Sequence, residues 1–257
     1  MRFVVKRLGL FVVALFGLSL LVFVLLRMLP GDVAAVIAGT NAAPERIASL
    51  RTELGLDKSY VAQYGDWMLG LLHGDLGVST IGGKAVSAQV ASRASVTFPL
   101  IIVSLLIALA IGLPLGCAAV LTRNARLRGL CHGIAIVAGA IPALWGGLLL
   151  ILLFSRGSGL LGLLPAQGFP DNGWGAPLQA LASLILPALA TGVTAGASIM
   201  RYTRAAVGDK ASSQAVDMAM ACGMTRKQAV LRVALRLATP QLVSVIGLTF
   251  AQMVTGV

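Results

Sequence analysis

The chain has 257 residues, 58% of them hydrophobic and only 11% charged, with a formal net charge of +11. A soluble domain carries about 25% charge, so this much apolar surface has to face lipid, and the chain reads as an all-α, polytopic transmembrane bundle. The positive balance comes without interleaved aromatics or a solvated basic domain, so it points to the bilayer and not to nucleic acid.

Apolar blocks near the length of about 20 residues that crosses a bilayer fall at about 8–28, 96–121, 130–154, 180–200 and 238–257. Arg2, Lys6 and Arg7 precede the first. Its apolar run is too long for a signal-peptide core, no small-residue cleavage site follows, and Arg27-Met-Leu-Pro30 closes it. Residues 1–28 therefore read as a retained signal-anchor span.

Residues 29–95 form a polar segment that is more than a linker. Pro44 and Glu45 open a helical pattern that Gly55 ends. A second pattern from Tyr60 to Leu72 places Val61, Tyr64, Met68 and Leu71 or Leu72 on one face. The turn-rich His73-Gly-Asp-Leu-Gly77 follows. Amphipathic helices beside a membrane lie in the interface, cap the spans, or form a docking platform. On the last reading Glu45, Arg51, Asp57 and Asp75 are candidate contact residues.

The remaining blocks belong to a core at 96–257. Pro114, Pro142, Pro187 and Pro240 kink or start helices, and Gly112, Gly116, Gly139, Gly146 and Gly147 allow close helix approach. No span interior carries an acidic residue. A carrier driven by an ion gradient needs buried ionisable groups on its ion path, so the energy source is expected outside this chain.

Residues 201–237 are a basic interruption between the last two blocks. Ala215, Ala219 and Gly223 are four apart and share a helical stripe, with Asp217 and Ala221 on the same short helix. Gly223 is placed to end it in a left-handed C′ conformation. Thr225 then caps a second helix, with Gln228 three residues on completing a capping box. Arg226, Arg232 and Arg236 follow. A smooth knob of small residues suits docking into a groove on another protein.

Lys and Arg set the orientation. With the N-terminus in the cytoplasm, the inside loops hold Arg2, Lys6, Arg7, Arg123, Arg126, Arg128 and the basic residues of 201–237, opposed by Asp209 and Asp217. The 29–95 segment is mixed in charge and falls outside.

The ordered series Arg27-Met-Leu-Pro-Gly-Asp32, Leu54-Gly-Leu-Asp-Lys58, Leu72-His-Gly-Asp-Leu-Gly77, Ile111-Gly-Leu-Pro-Leu-Gly116, Ile141-Pro-Ala-Leu-Trp-Gly146 and Leu184-Ile-Leu-Pro-Ala188, with the 201–237 loop, resembles the dipeptide/oligopeptide/nickel-type permease subunits of ATP-binding-cassette importers. The resemblance implies a type I importer permease of the bacterial inner membrane, with six spans of which five are visible here. It implies a second homologous permease, two ATPase subunits (or one heterodimer) gripping the coupling loops, and an extracytoplasmic substrate-binding protein. ATP and Mg would sit on the ATPases, leaving no cofactor in this chain. Cys222 and Val233 stand where such permeases often carry a basic residue and a His, and Pro240 is one residue early.

Enzyme motifs are absent. His73 and His132 form no metal-spaced pair, and there is no zincin motif, nucleophile elbow or phosphate loop. Cys117, Cys131 and Cys222 are too few and scattered for a disulfide framework or a zinc site, and read as small apolar fillers. Imported di- or oligopeptides are the first expectation for cargo, with nickel or metal chelates as the alternative. An ion-gradient-driven secondary carrier is the alternative mechanism.

Overall fold

The computed structural model describes residues 2–256 apart from 29, 30, 40, 41, 80–82, 123, 125, 127, 128, 130–132, 134, 135, 138, 158, 166 and 167. Pro30, Arg123, Arg128, Cys131, His132 and much of the 130–142 stretch therefore lie outside the described residues. The described chain is helical, with isolated bridges at Val78–Ala85 and Ser155–Leu164. It divides into two compact units, residues 1–93 and 94–257.

Among the described residues four helices are long and apolar enough to cross a membrane: Arg2–Met28, Val86–Leu121, Pro177–Ala211 and Arg226–Gly256. They are named α1, α5, α7 and α9. The third expected block appears as α6, Ala143–Phe154, 12 residues long and started by Pro142 at its N-cap. The first part of that block falls among the undescribed residues.

In the first unit α1 buries none of its residues in the chain, so its apolar surface is left for lipid or another subunit. Three shorter helices follow: α2 (Val33–Ala38), α3 (Pro44–Glu53) and α4 (Tyr60–Leu72). Pro44 at the start of α3 and Gly55 after its end follow the proline-in, glycine-out asymmetry of helix termini. Gly55 takes φ 63°, its N–H donates to the Thr52 carbonyl, and Leu56 N–H donates to the Arg51 carbonyl. Together these bonds make a Schellman cap.

The helix α4 lies against α1. Tyr64 and Ser19 share a 2.8 Å hydrogen bond, and the Tyr64 ring meets Phe16 and Phe23 edge-on at 5.9 and 5.3 Å. Tyr64 makes this contact from the expected apolar face, while Val61 and Leu72 at its two ends are 84% and 75% exposed. Beside that face Gln63 is buried and donates to the carbonyls of Leu56 and Lys58.

The second unit is built on a seam between α5 and α7. Ser104, Ala108, Gly112 and Gly116 repeat every four residues on α5, and all are buried. Gly192, Gly196 and Thr203 answer from α7. A Cβ at Gly112 would sit 2.7 Å from the Ile199 side chain and 2.8 Å from the Gly196 carbonyl; one at Gly116 would sit 2.5 Å from Thr203. Small residues here bring the backbones together, the device by which membrane helices associate when lipid removes the hydrophobic drive. One hydroxyl pair, Ser104 to Thr191 at 2.7 Å, crosses the same seam. Ile101, Ala108, Ile199 and Met253 close a small apolar cluster that brings in α9.

Candidate functional site

The helix α7 does not stop where its apolar block stops. It is 35 residues long, about 52 Å at 1.5 Å per residue against a hydrocarbon core of about 30 Å, so its Arg201–Ala211 end projects beyond the span. The chain breaks at Ser212 and Ser213 and resumes as α8, Gln214–Ala221.

Both ends of the following turn are locally capped. Gly223 has φ 92°. Its N–H donates to the Met220 carbonyl at 3.0 Å, and Met224 N–H reaches back to the Ala219 carbonyl at 3.1 Å. This is a Schellman cap, as at Gly55. A Cβ at Gly223 would meet nothing within 4 Å, so glycine is there for its backbone and not for space. One residue later Thr225 Oγ1 accepts from Gln228 N–H at 3.3 Å while Gln228 Oε1 accepts from Thr225 N–H at 3.0 Å. That reciprocal pair is the capping box.

One side chain anchors this element. Val216 is 1% exposed and belongs to a cluster with Val207 of α7, Cys117 of α5, and Ala229, Val230, Ala234, Ala238 and Leu242 of α9. Ala219 and Met224 pack against the same cluster. Val230, Ala234, Ala238 and Leu242 are four apart. On a regular helix of 3.6 residues per turn that spacing drifts about 40° per step. A π turn at Val230–Ala234 widens the helix where the drift begins, as such turns do in single-turn insertions.

The candidate residues divide accordingly. Ala215, Asp217 and Ala221 of α8 are exposed, as are Gly223, Thr225, Arg226, Arg232 and Arg236. Asp217 lies in the first turn of α8, where a carboxylate complements the helix dipole. Ala219 turns inward, so the three-residue small stripe does not share one outward face. The outward ridge of α8 is Gln214, Asp217, Met218 and Ala221, with Met218 70% exposed. The sequence reading passed over Val216, the anchor, and Met218, an exposed flexible thioether of the kind that fits irregular partner surfaces. Cys117 is buried, as a filler should be, while Cys222 is exposed, which corrects that reading for the second thiol. A cleft of about 710 Å³ opens between the end of α5 and the start of α9, floored by Pro114, Ala118, Leu121 and Leu231 and edged by Arg226 and Lys227.

Three of the four candidate residues of the first unit have hydrogen-bond partners among its other residues. Arg51 Nη2 donates to Asp32 Oδ2 at 2.7 Å. Asp32 also caps α2 by accepting from Ala34 N–H. The hydrogen bond from Arg51 holds the Asp32 carboxyl below its ordinary value. Asp57 accepts from Thr52, and Asp75 accepts from Gly77 N–H in a local turn. Glu45 stands exposed in the first turn of α3.

Residues 108–257 match the family described as the inner membrane component of binding-protein-dependent transport systems, and residues 1–100 match the N-terminal region of such membrane components. The chain belongs to this family. It is 33% identical to the dipeptide transport system permease protein DppB of Escherichia coli K12, over 100% of this chain and 81% of that one. It is 34% identical to the glutathione transport system permease protein GsiC of E. coli O6:H1, over 100% of this chain and 80% of that one. It is 30% identical to a putative peptide transport system permease protein of Brucella abortus, over 98% and 79%. The permease is thus a multi-pass subunit of a bacterial inner-membrane importer, not an enzyme. It works with an ATPase and a substrate-binding protein. Family membership selects the importer over the ion-driven carrier.

Proposed function

We propose that residues 201–237 are the coupling element of this permease, and that α8 with the turn at Gly223 seats in a groove of a cytoplasmic ATPase subunit. The observation that carries the reading is the anchoring of α8. Val216 is wedged into a cluster shared by α5, α7 and α9, while Met218, Ala221 and Cys222 face outward. A partner that pulls on the ridge therefore moves three helices together. The ATPase closing on ATP biases the bundle between inward- and outward-open states through its differential binding to them.

The excess of Lys and Arg in this element favours a cytoplasmic location. That places the N-terminus inside and residues 29–95 outside, as an extracytoplasmic platform for the substrate-binding protein. The organisation is a signal-anchor span at 1–28, the platform at 29–95 and the core at 96–257. A second homologous permease and two ATPase subunits complete the assembly. Di- and oligopeptides are the proposed cargo, because the relatives are named for dipeptide, peptide and glutathione transport. Nickel or metal chelates are the second reading of the cargo.

Gly223→Asp tests the assignment. It places a charge at the turn while largely sparing the left-handed backbone, which Asp tolerates. The expected result is a permease that inserts normally but loses its ATPases or transports far more slowly. Asp209→Ala, on the projecting end of α7, should leave transport unchanged. Normal transport by Gly223→Asp with ATPases bound would overturn the reading.

A further inference from the structure

The exposed surface of α9 falls on two flanks. At about 100° per residue, Val243, Phe250 and Val254 fall on one, and all are exposed and apolar, with Thr239 beside them. The other carries Gln241, Ser244, Gln252 and Thr255, also exposed, with Leu248 as the apolar member between them. Between the two on the opposite side, Ala238, Leu242, Thr249 and Met253 are buried in the bundle.

This polar flank has no counterpart among the described residues of the other spans. The exposed residues of α5 between 96 and 121 are Phe98, Ile102, Leu106, Ala110, Pro114, Leu115 and Ala118. Those of α7 between 180 and 200 are Leu181, Ile185, Pro187 and Val193. Exposed positions of α1 past Leu8 carry no polar side chain. Such faces suit lipid.

The hydroxyls of α9 are satisfied by their own helix: Ser244 donates to the Pro240 carbonyl and Thr255 to the Gln252 carbonyl. The two carboxamides have no hydrogen-bond partner within the described chain. Each carries two N–H donors and an acceptor, and an unpaired amide in hydrocarbon is costly. Gln241 and Gln252 are eleven residues apart, which returns to the same face after three turns, about 16 Å along the axis.

We propose that this flank of α9 lines the water-filled translocation path, and, resting on the peptide cargo proposed above, that Gln241 and Gln252 are path residues offering amide hydrogen bonds to a polar, amide-bearing cargo. Water answers the carboxamides when the path is empty, and the cargo's own carbonyls and N–H groups replace it in passage. The adjacent apolar flank at Val243 and Val254 marks where the path ends and lipid or packed protein begins.

The test is water access along the helix. Single cysteines at 241, 243, 252 and 254, in a permease with Cys117, Cys131 and Cys222 changed to Ser, are exposed in the assembled transporter to a charged, membrane-impermeant methanethiosulfonate. Because the thiolate is the reacting form and needs water, Gln241→Cys and Gln252→Cys should react about tenfold or more faster than Val243→Cys and Val254→Cys in the nucleotide-free or the ATP-bound state. Dialanine present at saturation should slow the fast pair. If a variant fails to assemble, Leu248→Cys and Thr255→Cys on the same flank give the same reading. Equal, slow reaction of both flanks in both states would overturn the proposal and assign the carboxamides to an interface with the second permease.

Discussion

The backbone N–H of Met224 donates to the carbonyl of Ala219, 3.1 Å away, across the turn made by Gly223. That single bond reverses the chain between α8 and α9 and brings Met224 onto the cluster that also holds Val216. The proposed coupling element is therefore an elbow with a capped turn. Its two arms are held by local caps and its inner surface by the bundle.

The conformational role of Gly223 separates from its proposed contact role by substitution. Gly223→Asn should keep near-normal transport, since Asn tolerates the left-handed region. Gly223→Ala should cost about 1 kcal/mol of local stability, and Gly223→Val more, because a branched side chain resists φ above zero. Transport rates and complex recovery in the order Gly, Asn, Ala, Val are the expected outcome. Equal behaviour of Val and Asn would show that the cap is dispensable.

The seam between α5 and α7 makes a sharper stability prediction. A methyl at Gly116 must displace Thr203 and the Met200 carbonyl, both within 3 Å. Gly116→Ala should destabilise by about 1–3 kcal/mol, the usual range for overpacking. Gly247→Ala on α9 meets nothing within 4 Å and should be neutral. Thermal unfolding of the purified complex in detergent, monitored on both variants, checks the pair. No difference between them would mean the helices can part without penalty.

These two glycine classes show what was legible beforehand. Gly55, Gly223 and the Thr225–Gln228 pair could be read from sequence because a cap is satisfied three to five residues away. Val216 could not, because its burial depends on Val207 and Cys117 of other helices. The π turn at Val230–Ala234 and the inward rotation of Ala219 have the same origin. Gln63 was passed over as well, because its burial rests on bonds to the carbonyls of Leu56 and Lys58 outside its own helix. Four of the five expected spans were plain, though α5 and α7 extend past their apolar blocks, to Val86 and Ala211. Hydropathy cannot see a helix that continues into water.

The Asp32–Arg51 pair gives the 29–95 segment a defined response to acid. Asp32 is held below its ordinary value of 3.8, first by the hydrogen bond from Arg51. A depressed carboxyl contributes stability above its unfolded pKa and loses it as pH falls through the folded one. The clasp between α2 and α3 should therefore hold at neutral pH and at pH 5, and loosen only below the ordinary aspartate range. Amide exchange in α2 should rise in that acid window. In Arg51→Ala, exchange in α2 should already be faster at neutral pH. Identical exchange in the two proteins would contradict the clasp.

Charge reversals on the proposed docking platform should be read with these bonds in mind. Glu45→Lys changes an exposed charge alone and is expected to weaken capture of the loaded binding protein while basal ATP hydrolysis continues. Arg51→Glu also breaks the pair with Asp32, so its effect should combine lost contact with loosened structure. Asp57→Lys and Asp75→Lys disturb bonds from Thr52 and Gly77 in the same way. Uptake unchanged across all four would favour a passive cap over the spans.

The exposed native thiol of Cys222, on the outer side of the elbow, tests the central claim most directly. In inside-out vesicles holding the permease without ATPase subunits, an impermeant maleimide should modify Cys222 readily, and in right-side-out vesicles it should not. Assembly with the ATPases should slow the reaction about tenfold or more, because the thiolate needs access to solvent reagent. Modification from the outside, or an unchanged rate in the assembled complex, would contradict the account of residues 201–237 as a cytoplasmic element seated in the ATPase.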